Sequence, residues 1–122
     1  MKIKNILLKK KTIDIKEILS RPNMHIDFHR EDYMPEADIE NHFDCVIELS
    51  LSIKDGEKKD ILVEMVVSFV VFVELEEKEK YSRQLSNKVY NAIEILYQKT
   101  VNDLLKEANY PPVPITIQTK AP

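Results

Sequence analysis

The stretch DCVIELSLSI, residues 44–53, decides how the rest of the chain reads. Its odd positions Cys45, Ile47, Leu49, Leu51 and Ile53 are apolar, and its even positions are polar except for Val46. A period of two sets one strand face in a core and the other towards water, as in an antiparallel sheet. Lys54, Asp55, Gly56 and Glu57 follow. Asp-Gly between two such runs predicts a hairpin, with the glycine taking the positive φ of the turn. The returning run, ILVEMVVSFVVFVE at residues 61–74, carries an unbroken apolar face on Ile61, Val63, Met65, Val67, Phe69, Val71 and Val73. Its other face holds Leu62, Val66, Val70 and Phe72 between Glu64, Ser68 and Glu74. That face is too apolar for plain solvated surface and is expected to meet something else.

Upstream, Met24, Ile26 and Phe28 alternate with His25, Asp27 and His29, which predicts a shorter strand between Pro22 and Pro35. A first strand falls within Met1 to Ile15 with its register open, since Ile13, Ile15, Ile18 and Leu19 fit a helical turn equally well. Downstream, the charge run at residues 76–80 reads as a linker or helix entry. From about Ser82 the period is helical, with Leu85, Val89, Ala92, Ile93, Leu96, Thr100, Leu104 and Ala108 on one face. A second stripe of Tyr90, Tyr97, Val101, Leu104 and Leu105 widens the apolar arc. It packs either on the chain's own sheet or, preferably, on another subunit. The segment Tyr110, Pro111, Pro112, Val113, Pro114 ends the helix, and residues 115–118 form a short extended tail. The expected fold is α+β: a four-stranded antiparallel sheet with a long C-terminal helix on one face, as one domain over residues 1–122.

Composition removes most enzyme classes with a legible signature. The 122 residues contain one glycine, where average usage gives about eight or nine. Phosphate cradles, dinucleotide fingerprints and nucleophile elbows all need repeated glycines. One cysteine, Cys45, excludes an internal disulfide framework and a thiolate-rich zinc site; its place on the apolar face reads as core. A net charge of −3 argues against nucleic acid, and the Lys9-Lys10-Lys11 cluster is too small to reverse that. The apolar run at 61–73 carries Glu64 and is shorter than the roughly 20 residues of a membrane span. The N-terminal apolar run is too short for a signal peptide, so the cytoplasm is the expected location.

Two polar constellations remain. His25, Asp27 and His29 share one face of a strand, with His42 the spare histidine. A zinc site asks for three or four ligands and an ordered outer shell, so an edge strand's polar face is the simpler reading. A metal-dependent enzyme built there would purify with stoichiometric metal. Glu36, Asp38 and Glu40, with Asp27, Glu31 and Asp32 nearby, form an acidic patch facing solvent or a partner. No catalytic residue, metal or cofactor is expected.

The residues 91–96, NAIEIL, running on through Val101 and Leu105 into NYPPVPI at 109–115, resemble the helix and proline-rich exit of the SecB family of bacterial protein-export chaperones and its SecB-like relatives. Leu62, Val63, Glu64 and Met65 resemble that family's Leu-x-Glu-Val. The likeness covers roughly residues 36–118 and is strongest from 87 to 117. Ile95 and Gln98 stand where the family often has Pro and Arg, and Ser68 and Phe69 where it often has glycines. The acidic zinc-binding tail by which its members dock the motor SecA has no counterpart after Pro122. The resemblance implies an ATP-independent holdase for unfolded or precursor polypeptides, and a homotetramer, a dimer of dimers with helices between the sheets. The alternative is a dedicated interaction module for a single client or a toxin–antitoxin pair. Val66, Val70 and Phe72, with Tyr90 and Tyr97 from the helix, are the candidate client groove. Leu62 and Glu64 are the candidate contacts to a SecA-type motor or other partner.

Overall fold

The computed structural model describes residues 1–17, 24–33, 42–57, 60–76 and 82–110. Four strands, β1 (Lys2–Ile15), β2 (Met24–Tyr33), β3 (His42–Asp55) and β4 (Ile61–Glu74), precede one helix, α1 (Arg83–Glu107). The strands form one sheet in the order β1-β4-β3-β2 with every neighbour antiparallel. The hairpin from which the sequence was read therefore sits at the centre, where its two apolar strands gain partners on both sides. The odd positions of β3 and β4, from Cys45 to Ile53 and from Val63 to Val73, are buried. They lie beneath α1, which covers that face of the sheet.

The β3–β4 connection differs from the tight turn expected of Asp-Gly. It runs over residues 56–60, and Gly56 does not take a positive φ. Asp55 organises the start and the close of this longer loop. Its carboxylate accepts from the Glu57 N–H at 2.9 Å, and its own N–H donates to the Asp60 carbonyl at 2.9 Å. Among the described residues the positive φ belongs instead to Asn109, at 56°. Asn109 closes α1. The Asn109 N–H donates to the Lys106 carbonyl and the Tyr110 N–H to the Leu105 carbonyl, each at 3.0 Å. That is the Schellman arrangement, completed by burial of Leu105 and Tyr110. The helix thus stops before the prolines, which lie beyond the described residues, as does the tail at 115–118. At the other end the Ser82 hydroxyl accepts from the Leu85 N–H at 3.2 Å, confirming the expected start.

β1 explains why its register was illegible. Lys4 and Lys9 are extra residues in two bulges against β4, between Ile3 and Asn5 and between Leu8 and Lys10. Each bulge reverses the alternation. Ile3, then Ile6 and Leu8, then Ile13 and Ile15 pair with the helix-side residues of β4, so both odd and even positions face α1. Ile13 and Ile15 are strand, not a helical turn; Ile18 and Leu19 lie outside the described residues, as does most of the 76–80 charge run.

Candidate functional site

The second helical stripe is the first correction. Tyr90, Tyr97, Val101, Leu104 and Leu105 are all buried against the chain's own sheet, together with Leu85, Val89 and Ile93. Buried there, this stripe is not available to another subunit. Tyr97 donates its hydroxyl hydrogen to the Ile47 carbonyl and meets Phe69 edge-on, with ring centroids 4.9 Å apart. Burial pushes its phenol well above the usual range. Tyr90 and Tyr97 therefore do not line an open groove, and the sheet separates them from Val66, Val70 and Phe72. Leu62 is also fully buried: it is the extra residue of a β4 bulge, and its carbonyl accepts from the Lys16 and Glu17 N–H groups. Glu64 is half-buried, with its carboxylate 3.7 Å from the Lys16 ammonium.

What α1 covers at the β2 edge is a polar clasp that pattern reading missed. Arg30 and Asp32 continue the face of Met24, Ile26 and Phe28, and so point under the helix. The Arg30 Nε and Nη2 groups donate to the two Asp32 oxygens at 2.8 and 2.6 Å, and Nη2 also donates to Asn87 Oδ1 at 2.8 Å. The Ser86 hydroxyl donates to Asp32 Oδ2, and the guanidinium carbon lies 4.6 Å from the centroid of the Tyr90 ring. Burial pushes the Asp32 carboxyl up, but hydrogen bonds from Arg30 and Ser86 outweigh it and hold the pKa below the usual carboxylate value. Asp32 in turn raises Arg30. The clasp fastens the first turns of α1 to the edge strand.

Among the described residues no element covers the other face of the sheet. Its residues follow from the pairing register, in rows across the strands. Leu7, Val70, Val46 and Tyr33 form one apolar row in the order β1-β4-β3-β2. Phe72 of β4 lies on one side of it, between Asn5 and Asp44. On the other side lie Lys10, Ser68, Glu48 and Glu31, and beyond them Thr12, Val66, Ser50 and His29. Leu7 and Tyr33 are 49% and 48% exposed, and Val46, Val66, Val70 and Phe72 are half-buried. Val66, Val70 and Phe72 thus stay together, joined by Leu7, Val46 and Tyr33. The signal for Val46 was in view: it is the one apolar even position of β3.

All three histidines of the chain lie beside carboxylates on this face. His25 Nε2 is 2.8 Å from Asp27, His29 Nε2 is 3.3 Å from Glu31, and His42 Nε2 is 3.8 Å from Glu74. Hydrogen bonds lower three of these carboxyls: from Lys54 and His25 on Asp27, from Tyr33 and His29 on Glu31, and from Lys4 on Glu74. The Tyr33 hydroxyl donates to Glu31 at 2.8 Å and is raised by it. Among the described residues, no group of three or more His, Cys, Asp or Glu is placed to hold a metal ion. Glu36, Asp38 and Glu40 lie outside them. Among the described residues no helix is long and apolar enough to cross a membrane.

No family model matches the sequence, and neither does any curated protein. The structure does find a likeness. It superposes on the Mycobacterium tuberculosis SecB-like chaperone solved in complex with a ChAD peptide from the HigA1 antitoxin, with a TM-score of 0.76. The fold is SecB-like. At 17% sequence identity the match covers 98% of this chain and 91% of the mycobacterial one. A SecB-like fold on this sequence agrees with the resemblance carried by residues 91–115, and the likeness lies in architecture rather than in shared side chains.

Proposed function

We propose that this SecB-like protein is an ATP-independent holdase that takes non-native polypeptides on the open face of its sheet. The observation that carries the reading is the row Leu7, Val70, Val46 and Tyr33 with Phe72 and Val66 beside it, an apolar surface on the face that α1 does not cover. An exposed apolar segment of an unfolded chain gains by leaving water there, without chemistry or a cofactor. The flanking rows, with Lys10, Glu31 and Glu48 on one side and Asp44 on the other, keep the loaded complex soluble. Of the pair Leu62 and Glu64, only Glu64 is accessible to a motor or other partner. A cytoplasmic homo-oligomer, dimer or tetramer, belongs to the same reading.

Purified protein at stoichiometric ratio, without nucleotide, is expected to suppress light scattering by several unrelated denatured clients. No suppression of any of them would sink the holdase reading. A second reading, one dedicated client, has its own support in the antitoxin peptide held by the mycobacterial neighbour. It predicts tight binding to one polypeptide and indifference to the rest.

A further inference from the structure

Of the sheet's two edges, β2 keeps the regular ladder. It pairs with β3 through 10 consecutive residues, Met24 to Tyr33, with no shift of register. β1, at the other edge, breaks its register with β4 at two bulges and carries the five lysines Lys2, Lys4, Lys9, Lys10 and Lys11. Bulges, lysines and proline are common means of keeping an edge from pairing with another chain, and β2 contains none of them. Among the described residues no strand lies beyond β2, and no backbone hydrogen bond runs from it to anything but β3. Alternate residues of an antiparallel edge turn their N–H and C=O groups away from the partner, so about half of β2 offers both outward.

The side chains of β2 define the strand that fits beside it. On the α1 side Met24, Ile26 and Phe28 are only half-buried, although Ile53 and Leu51, their neighbours on β3, are fully buried. A further strand with apolar residues there takes the rest of that surface out of water. On the other side Glu31 stands directly across from Glu48, and like charges at such a pair repel. Among the described residues neither carboxylate has a lysine or arginine in an ion pair; Lys10 shares their row, but on the far edge beyond Ser68. Asp27, by contrast, is held by Lys54 at 2.8 Å. A cation is therefore wanted beside Glu31 and not beside Asp27. Tyr33 ends the apolar row, so an apolar residue next to it lengthens that row. Arg30 already ties the strand to α1 through Asn87, and an edge ordered in advance costs less to bind.

We infer that the β2 edge takes an extended client segment as a fifth, antiparallel strand, with a lysine or arginine of that segment opposite Glu31. Antiparallel addition continues the order of the sheet and is the stronger pairing per residue. With the cation as its third residue, a segment as long as β2 sets its first residue beside Tyr33. Its sixth, eighth and tenth residues then lie beside Phe28, Ile26 and Met24, and these four positions are apolar. The seventh, beside Asp27, needs no charge. The source of the segment rests on the proposed holdase reading, to which the edge adds recognition of the client's main chain.

The test uses the full chain and a synthetic peptide of that pattern, with binding read by fluorescence anisotropy. Two further peptides carry N-methyl groups on alternate residues, one on the odd positions and one on the even. Methylation removes the N–H and blocks close approach of two main chains. Strand addition therefore loses roughly tenfold or more in one set and changes by less than about threefold in the other. Amide exchange within residues 24–33 is expected to slow when the unmodified peptide binds. Glu31→Lys, at an exposed position, is expected to weaken the lysine peptide about tenfold at low salt and to favour its glutamate counterpart; circular dichroism checks that the variant is folded. Methylated sets that bind alike, both well or both poorly, overturn the proposal. So does an unmodified peptide that fails to bind at millimolar concentration, or a Glu31→Lys variant that treats the two charges as the parent does. Suppression of client aggregation without this phase dependence would remove strand addition and leave the holdase reading standing. Phase-dependent binding without any suppression would do the reverse.

Discussion

Arg30→Ala is expected to destabilise the protein by about 3 kcal/mol at pH 7, because it leaves the Asp32 carboxylate under α1 with its main partner gone. The Arg30 and Asp32 side chains are only 8% and 20% exposed. Water cannot readily replace the guanidinium. Total stabilities of small domains are about 5–15 kcal/mol, so the loss is a large fraction of the fold. Lysine does not restore it fully, since its compact ammonium lacks the planar fork that meets both Asp32 oxygens side by side and the flat face that lies over Tyr90. The sign with pH follows from Asp32. Its folded pKa is depressed, so its contribution is complete above the unfolded carboxylate value, near 4, and is lost as pH falls through the lower folded value. Asp32→Asn should therefore lose stability at pH 7, and the gap to the parent should narrow progressively below about pH 4. Urea unfolding at pH 7 and pH 3 measures both. An unchanged gap at the two pH values would mean that Asp32 is not the titrating member of the clasp.

Val70→Asp should remove client binding while the chain remains folded. Val70 lies at the centre of the open row, flanked by Leu7 and Val46. A carboxylate there hydrates the patch and adds a charge to a surface already lined by Glu48 and Asp44. Because the site is half-buried and open to water, the cost to folding stays near 1–2 kcal/mol. Suppression of client aggregation should fall at least tenfold. Val71→Asp is the contrasting variant: one residue along, it enters the core under α1, where Val71 is fully buried, and it should unfold the protein outright. Equal loss of chaperone activity in folded Val70→Asp and folded Val46→Asp would place the client on this face. Full activity in both would place it elsewhere.

The contrast between neighbours at 70 and 71 shows what the sequence could convey. The period of two in β3 and β4 assigns each side chain to a face. It identified the core and set Val66, Val70 and Phe72 together on the opposite face. It failed where the alternation itself breaks. The bulges at Lys4 and Lys9 hid the register of β1, and with it the place of Leu7 at the β1 end of the apolar row. It also failed where charge lies on the buried side. Arg30 and Asp32 fall in step with Ile26 and Phe28, yet their type reads as solvent, and only the helix above them supplies Ser86 and Asn87. Tyr90 and Tyr97 were misplaced for a different reason. Periodicity gives the width of a helix's apolar arc but not how much of that arc the chain's own sheet covers.

The bulges in β1 have one more consequence, for chain length. Lys4 and Lys9 have no partner of their own in the β4 register, and the residues on either side of each pair with consecutive positions of β4. Losing either one would straighten the strand locally without moving any other side chain to the opposite face. A strand ordinarily tolerates no change of length in its middle, since a one-residue slip turns it inside out. Here related sequences are free to differ by a residue at these two points, and an alignment that forbids gaps inside strands would misregister the first fifteen residues of such a family.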